Sequence, residues 1–332
     1  MNQIFSSRFF RRPEAGAILS LLTVVLFFVL FGGVQIDKFA SAASWINFAA
    51  NLGIVAIPVG MLMIAGELDI SIGAMIPAGS MSVAIVSGHF GLPIAVGMGV
   101  ALGVGVLVGL VNGLLAVRTS VPSLIITLGT LVAMQGIVLS SSVLITGNAS
   151  VPLNAPDWAK YVFGQLLAGS YQVIIVWWLA LTALFVLIIH HTKYGNWIFA
   201  MGGDKVSARN AGIPTHGLTI AMFVLSSTSA TFVGMCGAIL FNSAQVSGGM
   251  NYIFNAVVSV VVGGVLLTGG FGSIIGIFIG TITFAIVSQG IYFTSIDRNW
   301  SSLVIGLMLL FAVLLNNHFR NLAMRAGTSK SS

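Results

Sequence analysis

Uncharged, apolar runs dominate this sequence and leave few folds open to it. Residues 15–34 read AGAILSLLTVVLFFVLFGGV without one charge, and about 20 such residues cross the hydrocarbon core of a bilayer. Charged residues make up 6% of the 332 positions and hydrophobic residues 57%, whereas a soluble domain carries roughly a quarter charged residues. The sequence therefore predicts an all-α, polytopic membrane protein.

Charges, polar loops and clusters of Gly, Pro and Asn divide the chain into about ten candidate spans. The first follows RFFRR and is too long for a secretory signal, whose apolar part has roughly 7–15 residues, so we expect it to be retained. The spans are 15–34, 44–65, 70–87, 92–117, 123–145, 172–191, 218–241, 254–268, 272–292 and 301–317.

Lysine and arginine indicate the orientation of these spans. With both termini cytoplasmic, the outer connections hold only Lys38, Lys160 and Arg298. The inner segments then hold Arg8, Arg11, Arg12, Arg118, Lys193, Lys205, Arg209, Arg320, Arg325 and Lys330. Because cytoplasmic loops carry the excess of basic residues, both termini are predicted to be cytoplasmic.

Several kinds of chemistry find no support in the sequence. The basic residues form no stripe suited to nucleic acid, and no G-x-x-x-x-G-K-[ST] loop is present to cradle a nucleotide phosphate. No His/Glu or His/Cys constellation has catalytic or metal-ligand spacing. The lone Cys236 lies in an apolar run. We expect a chain that is not an enzyme and holds no metal or cofactor.

Glycine spacing predicts close helix packing and a faint internal repeat. Gly105, Gly109 and Gly113 recur every four residues, which lets helix backbones approach closely. Residues 60–73 match residues 263–276 at their glycines, and in both places a short span meets a glycine-rich break. Such interrupted spans point to a transport pathway.

Glu67 and Asp69 stand in the first of these breaks, within AGELDISIGAM. An acid in mid-membrane costs roughly 2.5–3.5 kcal/mol, so both side chains must be wet, paired or at an interface. One interpretation is a cytoplasmic turn in which Asp69 or Ser71 caps the third helix. The other is a helix break that lines a polar cavity and meets substrate hydroxyls or a partner subunit.

Four stretches resemble the permease subunits of bacterial ABC importers of the ribose, xylose and arabinose type. They are GELDISIG (66–73), VPSLIITLGT (121–130), the segment from Tyr194-Gly195 to Gly212-Ile213, and the glycine pairs at 263–264 and 269–270 followed by Gly272-Ser273. The first is similar to the family's G-G-I-D-L-S-V-G, with Glu67 where a glycine is usual. The resemblance covers nearly the whole chain and implies one transmembrane permease domain over residues 1–332, with short tails at about 1–14 and 318–332.

The resemblance also implies the partners. These are a cytoplasmic ATPase that hydrolyses the ATP, a periplasmic sugar-binding protein and a second permease copy or paralogue, in the bacterial inner membrane. The cytoplasmic connection at about 192–217 then corresponds to the coupling segment, with a short helix around Lys205–Ala211. A solvated basic loop needed only for orientation is the alternative. The implied coupling residues are Tyr194, Gly195, Gly202, Gly203, Arg209 and Gly212.

Polar residues near span ends are the candidates for the substrate pathway, since amides exchange hydrogen bonds with sugar hydroxyls. Any one of them could instead bridge helices. The candidates are Glu67, Asp69, Asn51, Gln135, Gln245 and Asn255, and four further amides at Asn47, Asn242, Asn251 and Gln289. Two competing functions remain: an ion-coupled secondary transporter, and an ABC permease for another small solute such as an amino acid.

Overall fold

A computed structural model describes residues 13–31 and 39–293 and, singly, residues 300, 303, 306, 307, 310, 311 and 314. Apart from Pro13 and Glu14, the predicted tails lie outside these residues. Most of the predicted span at 301–317 also lies outside them.

The described chain is mostly helical. Two short antiparallel pairs join β1 (Ser150–Pro152) to β4 (Ser243–Gln245) and β2 (Leu166–Leu167) to β3 (Tyr171–Gln172). One π-helical turn, Ala84–His89, continues α3, and another, Lys160–Gly164, continues α6. The helices are α1 (Pro13–Phe31), α2 (Phe39–Ile64), α3 (Ile72–Val83), α4 (Ile94–Arg118), α5 (Ser123–Thr146), α6 (Asp157–Ala159), α7 (Ile174–His191), α8 (Lys193–Gly203), α9 (Lys205–Asn210), α10 (Thr215–Phe241), α11 (Met250–Val262) and α12 (Ile274–Gly290).

Six of the described helices are long and apolar enough to cross a membrane, namely those in α2, α3 with its π-turn, α4, α5, α7 and α10. The shorter apolar helices α1, α11 and α12 match three further predicted spans. A total of ten spans stays a prediction. The second half of the predicted span at 254–268 is wrong, because the helix ends at Val262 and Gly264 has a φ of 90°.

The predicted coupling loop at 192–217 holds two helices. The short helix expected around Lys205 is confirmed as α9, and α8 was not predicted. Each has a capped start: the Thr192 hydroxyl accepts from the Tyr194 N–H, and the Asp204 carboxylate accepts from the N–H groups of Val206 and Ser207. The Ser207 and Val206 N–H groups lower the pKa of Asp204 below its usual value.

The core is built around α2 and α3. Residues 52–65, which form the second half of α2 and the first position of the turn after it, are buried without interruption. Helices α7, α10, α11 and α12 pack around α2, and α4, α5 and α10 pack around α3. A helix segment enclosed on all sides has no need of a polar face, which is why residues 52–64 of α2 include no polar side chain.

Glycine brings α4 and α10 into backbone contact, as the four-residue spacing predicts. A Cβ on Gly109 would lie 2.5 Å from the Val224 Cα, and one on Gly113 would lie 2.7 Å from the Ile220 Cα. Both distances are shorter than a carbon pair tolerates, so only glycine permits this crossing.

Three backbone segments meet where α2 ends, and glycine again makes the contact possible. The Gly270 N–H donates to the Ile64 carbonyl at 2.8 Å, and a Cβ on Gly202 would collide with that same carbonyl and with the Gly270 nitrogen. Gly66 and Gly269, which match in the predicted repeat, both have a φ of 82°. We call Gly66, Gly202, Gly269 and Gly270 the glycine junction.

The α4–α10 contact can be tested by adding a side chain. We expect Gly109→Val to lower the free energy of unfolding by about 2 kcal/mol, because an added side chain overpacks the contact. Gly103→Val is the matched control, since nothing lies within 4 Å of a Cβ on Gly103. Thermal unfolding in detergent measures both, and equal midpoints for the two variants would contradict this packing.

Candidate functional site

A cavity of about 580 Å³ opens beside the first half of α2. Its wall also contains the last third of α10 with the segment that follows it, the middle of α3 and the connection before α7. One residue each of α11 and α12, Tyr252 and Gln289, completes the wall. None of the described residues that line it is charged. Its polar lining residues are Ser44, Asn47, Asn51, Ser80, Gln165, Gln172, Ser243, Gln245, Ser247, Tyr252 and Gln289.

The structure brings four of the predicted pathway residues together on this wall, namely Asn47, Asn51, Gln245 and Gln289. Gln135 lies elsewhere, on an exposed face where its Nε2 donates to the Met250 sulfur at 2.7 Å. Asn255, Glu67 and Asp69 also lie outside the lining. A place in the pathway for these four residues stays a prediction.

Hydrogen bonds across the cavity wall fix its amides. The Asn51 Nδ2 donates to the Gln172 Oε1 at 2.9 Å, and the Asn47 Oδ1 accepts from the Gln172 N–H at 2.8 Å. On the other side the Ser44 hydroxyl donates to the Gln289 Oε1 at 3.1 Å. These amides therefore bridge elements, as the alternative interpretation of the sequence allowed, and they also present their polar atoms to the cavity.

Sequence reasoning missed Gln172 and Gln165. Gln165 lies in a connection between spans, which hydropathy assigns to the surface, and Gln172 is the first residue of the predicted span at 172–191. Gln172 of β3 is held against α2 by Asn47 and Asn51, and both glutamines line the cavity. Gln245 depends on a similar device, because β4 pairs it with Ser150 of β1. The only signal in the sequence was a run of polar residues on each side of an apolar pair.

Aromatic rings form an apolar part of the same wall. Phe163 lines the cavity and stacks on Trp177, with centroids 5.5 Å apart and planes 8° apart. Phe48 lines it as well and stacks on Phe284. Amides beside aromatic faces suit a ligand with both hydroxyl groups and C–H surface, because each kind of surface then finds its partner.

A second polar cluster lies at the break between α2 and α3. The fully buried Asp69 accepts with Oδ1 from the Ser71 N–H at 2.9 Å and from the Ser71 hydroxyl at 2.6 Å. The Asn112 Nδ2 donates to the Ser71 hydroxyl at 3.1 Å, and the Thr130 hydroxyl donates to the Asn112 Oδ1 at 2.6 Å. This chain of bonds joins the break to α4 and α5.

The backbone of the break is held as well. The Leu68 N–H donates to the Ser123 hydroxyl at 3.1 Å, and the Ile70 N–H donates to the Thr127 hydroxyl at 3.3 Å. Neither Asp69 nor Ser71 caps α3 as the sequence suggested, since the Ser71 side chain accepts no N–H of that helix. The break is therefore a buried cluster of hydrogen-bonded polar groups around Asp69 and Ser71, which we call the polar knot. Its structure differs from that of a solvent-exposed turn.

Glu67 faces away from this knot and pairs with Lys205, the first residue of α9. Both side chains are largely shielded, with 13% of Glu67 and 30% of Lys205 exposed. The break and the predicted coupling segment are therefore in direct contact through opposite charges.

The predicted coupling residues gather at this same end of the molecule. Gly202 belongs to the glycine junction, and Gly212 ends the α9 region with a φ of 85°. A Cβ on Gly195 would collide with the Ile189 carbonyl, whereas Tyr194 and Arg209 are exposed. About 13 residues of α2 separate the cavity from the junction, or roughly 20 Å at the helical rise.

Known proteins are similar to this chain over most of its length. The family model described as "Branched-chain amino acid transport system / permease component" matches residues 41–313. The fructose import permease protein FrcC of Rhizobium meliloti is 28% identical over 318 residues, 92% of this chain and 87% of the relative.

Two relatives come from Escherichia coli (strain K12). The probable ABC transporter permease protein YphD is 31% identical over 301 residues, 90% of this chain and 89% of the relative. The galactose/methyl galactoside import permease protein MglC is 26% identical over 332 residues, 96% of this chain and 98% of the relative. Among solved structures, PsaBC from Streptococcus pneumoniae in complex with Fab is 17% identical with a TM-score of 0.44 over 87% of this chain and 92% of that chain.

The polar knot can be tested through its acceptor. We expect Asp69→Ala to lower the free energy of unfolding by about 3 kcal/mol, because the Ser71 N–H and hydroxyl both lose a buried partner. Asp69→Asn keeps one oxygen in the position of Oδ1 and should lose less. Thermal unfolding in detergent compares them, and equal losses in the two variants would count against the Oδ1 hydrogen bonds.

Proposed function

Because this chain belongs to the family of branched-chain amino acid transport system permease components, we propose that it forms the translocation pathway of an ATP-driven sugar importer. It is a multi-pass membrane protein built mostly of helices, as its relatives' permease role requires. Those relatives are named import permeases or ABC transporter permeases, and this chain matches nearly their whole length.

The uncharged, amide-rich cavity is the observation that carries the choice of a sugar. Six amide side chains, at Asn47, Asn51, Gln165, Gln172, Gln245 and Gln289, line it beside aromatic rings. An amino acid brings an ammonium and a carboxylate group, and burying either without an opposite charge or several hydrogen bonds is costly. A sugar exchanges neutral hydrogen bonds with the same amides, so a neutral polyhydroxylated solute fits better.

An ion-coupled carrier is a weaker candidate. Such carriers bind the coupling ion with ionisable groups beside the substrate site. Among the described residues, the fully buried acid is Asp69. It lies outside the cavity lining, and its Oδ1 accepts hydrogen bonds from the N–H and the hydroxyl of Ser71.

The energy source proposed here is a partner subunit, as membership of this family implies. The sequence carries no P-loop, so the ATP is hydrolysed by a cytoplasmic ATPase, and this chain needs no cofactor of its own. A periplasmic sugar-binding protein delivers the solute, and a second copy or a paralogue completes the pathway. Both termini lie on the cytoplasmic side of the bacterial inner membrane, consistent with the lysine and arginine distribution.

Helices α8 and α9 form the proposed docking surface for the ATPase. Val206 and Tyr194 are 69% and 45% exposed, and Lys193 lies 5.0 Å from the ring centroid of Trp197. Exposed apolar and basic groups on a short capped helix suit insertion into a cleft of a soluble subunit. The connection to the cavity would then run through the helices themselves.

Uptake separates the two interpretations of the intramembrane amides. We expect Asn51→Leu and Gln245→Leu each to lower uptake at subsaturating sugar by about tenfold, the equivalent of 1.4 kcal/mol of hydrogen bonding. Gln135→Leu should change it little, because Gln135 lies outside the cavity. Vesicles containing the assembled importer measure the initial rates. An equal loss of uptake in all three variants would indicate that Gln135 also lies in the pathway, and it would weaken the case for this cavity.

The docking surface can be tested by reversing a charge on it. We expect Arg209→Glu to lower ATP-driven uptake by roughly tenfold while membrane insertion is unaffected. Gly212→Glu should act in the same direction, because a residue with a side chain is strained at a φ of 85°. Co-purification with the ATPase subunit measures the loss of docking. Uptake at the wild-type rate in both variants would remove this assignment.

A further inference from the structure

Glu67 and Lys205 are 138 positions apart in the sequence, yet they form an ion pair between the α2–α3 break and α9. Within the part of the chain that the structure describes, this is the one salt bridge. The pair is partly shielded from water, so solvent and salt screen it less than they would a surface pair.

The two helices of the coupling segment are attached to the core in different ways. Helix α8 is seated by backbone contact, because Gly202 presses directly on the Ile64 carbonyl and the Gly270 nitrogen. Helix α9 follows after the single extended residue Asp204, with φ −154° and ψ 110°, and it packs on α8 and α10. The Glu67 carboxylate thus gives α9 a direct attachment to the break.

The segment that Glu67 belongs to is connected onward to the cavity. Glu67 is two residues from Asp69, which is hydrogen-bonded to Ser71, the residue directly before α3. Ile76 and Pro77, about one and a half turns further along α3, line the cavity. A displacement of α9 that pulls on Glu67 therefore acts on a tightly bonded segment that leads into the cavity wall.

We propose that Glu67 is a positioning residue, and that its ion pair with Lys205 transmits movements of α9 to the α2–α3 break. This inference rests on the proposed function, since it assumes that an ATPase subunit moves α9. The pair holds the two elements together during that movement. Without it, hydrolysis still occurs in the partner while less of the motion reaches the cavity.

The number of ATP molecules hydrolysed per sugar taken up measures this role. In proteoliposomes with the ATPase and binding protein, Glu67→Gln and Lys205→Gln should each raise that number about fivefold, the lower range of common coupling effects. The charge exchange Glu67→Lys with Lys205→Glu should bring it back towards the wild-type value. A purely structural loss would lower the yield of folded complex and leave the ratio unchanged.

Arg118→Gln is the matched control, because it removes one exposed positive charge at the end of α4 and should leave the ratio unchanged. A wild-type ratio in both single variants, or an exchange variant as poorly coupled as the single ones, would overturn the inference and leave the proposed function intact. A wild-type assembly that hydrolyses ATP and takes up no sugar would contradict the proposed function, and this inference with it.

Discussion

The burial of a polar backbone break inside a helical bundle is the constraint on which the remaining structure depends. Where α2 stops at Ile64 and α3 starts at Ile72, the Leu68 and Ile70 N–H groups and the Ile64 carbonyl have no partner within either helix. Such groups are tolerated at membrane depth only when protein or water satisfies them. Ser123 and Thr127 of α5 accept from two of the N–H groups, and the Ile64 carbonyl accepts from Gly270. The positions of α5 and of the glycine junction follow from that requirement.

This requirement separates two polar regions that the sequence had placed in one pathway. The knot around Asp69 is tied to neighbouring helices, because Ser71 accepts from Asn112 of α4, which in turn accepts from Thr130 of α5. The cavity amides also bridge elements, but they surround open volume. A polar group fully used in packing can hold helices in place, whereas a group beside a cavity can exchange its bonds with a ligand. Rigidity at one end and exchangeable bonds at the other are what a gated conduit needs.

The sequence was sufficient for the features that depend on local chemistry. Long apolar runs predicted the membrane helices, the connection at 192–217 predicted the short helix α9, and the glycine spacing predicted the close packing that α4 makes with α10. It was insufficient where distant segments meet. Gln172 reaches the cavity because a connecting segment folds back onto α2, and Gln135 misses it because its side chain contacts Met250 of α11 instead. Asn51 and Gln135 look alike in hydropathy, so only the tertiary arrangement separates them.

Glu67 shows why an acid in an apolar chain has to be interpreted through its partner. The cost of its charge near the membrane is offset by Lys205, which the sequence placed in the coupling segment for an unrelated reason, the orientation of loops. A carboxylate that faced lipid would make membrane insertion too costly. One that faced water would not fix the position of any other element. Because Glu67 is paired and half-buried, it links α9 to the buried break between α2 and α3, and that break is itself bonded to the membrane helices α4 and α5. The charge is stable only while α9 stays close, so the folding of the membrane core and the seating of the coupling segment depend on each other.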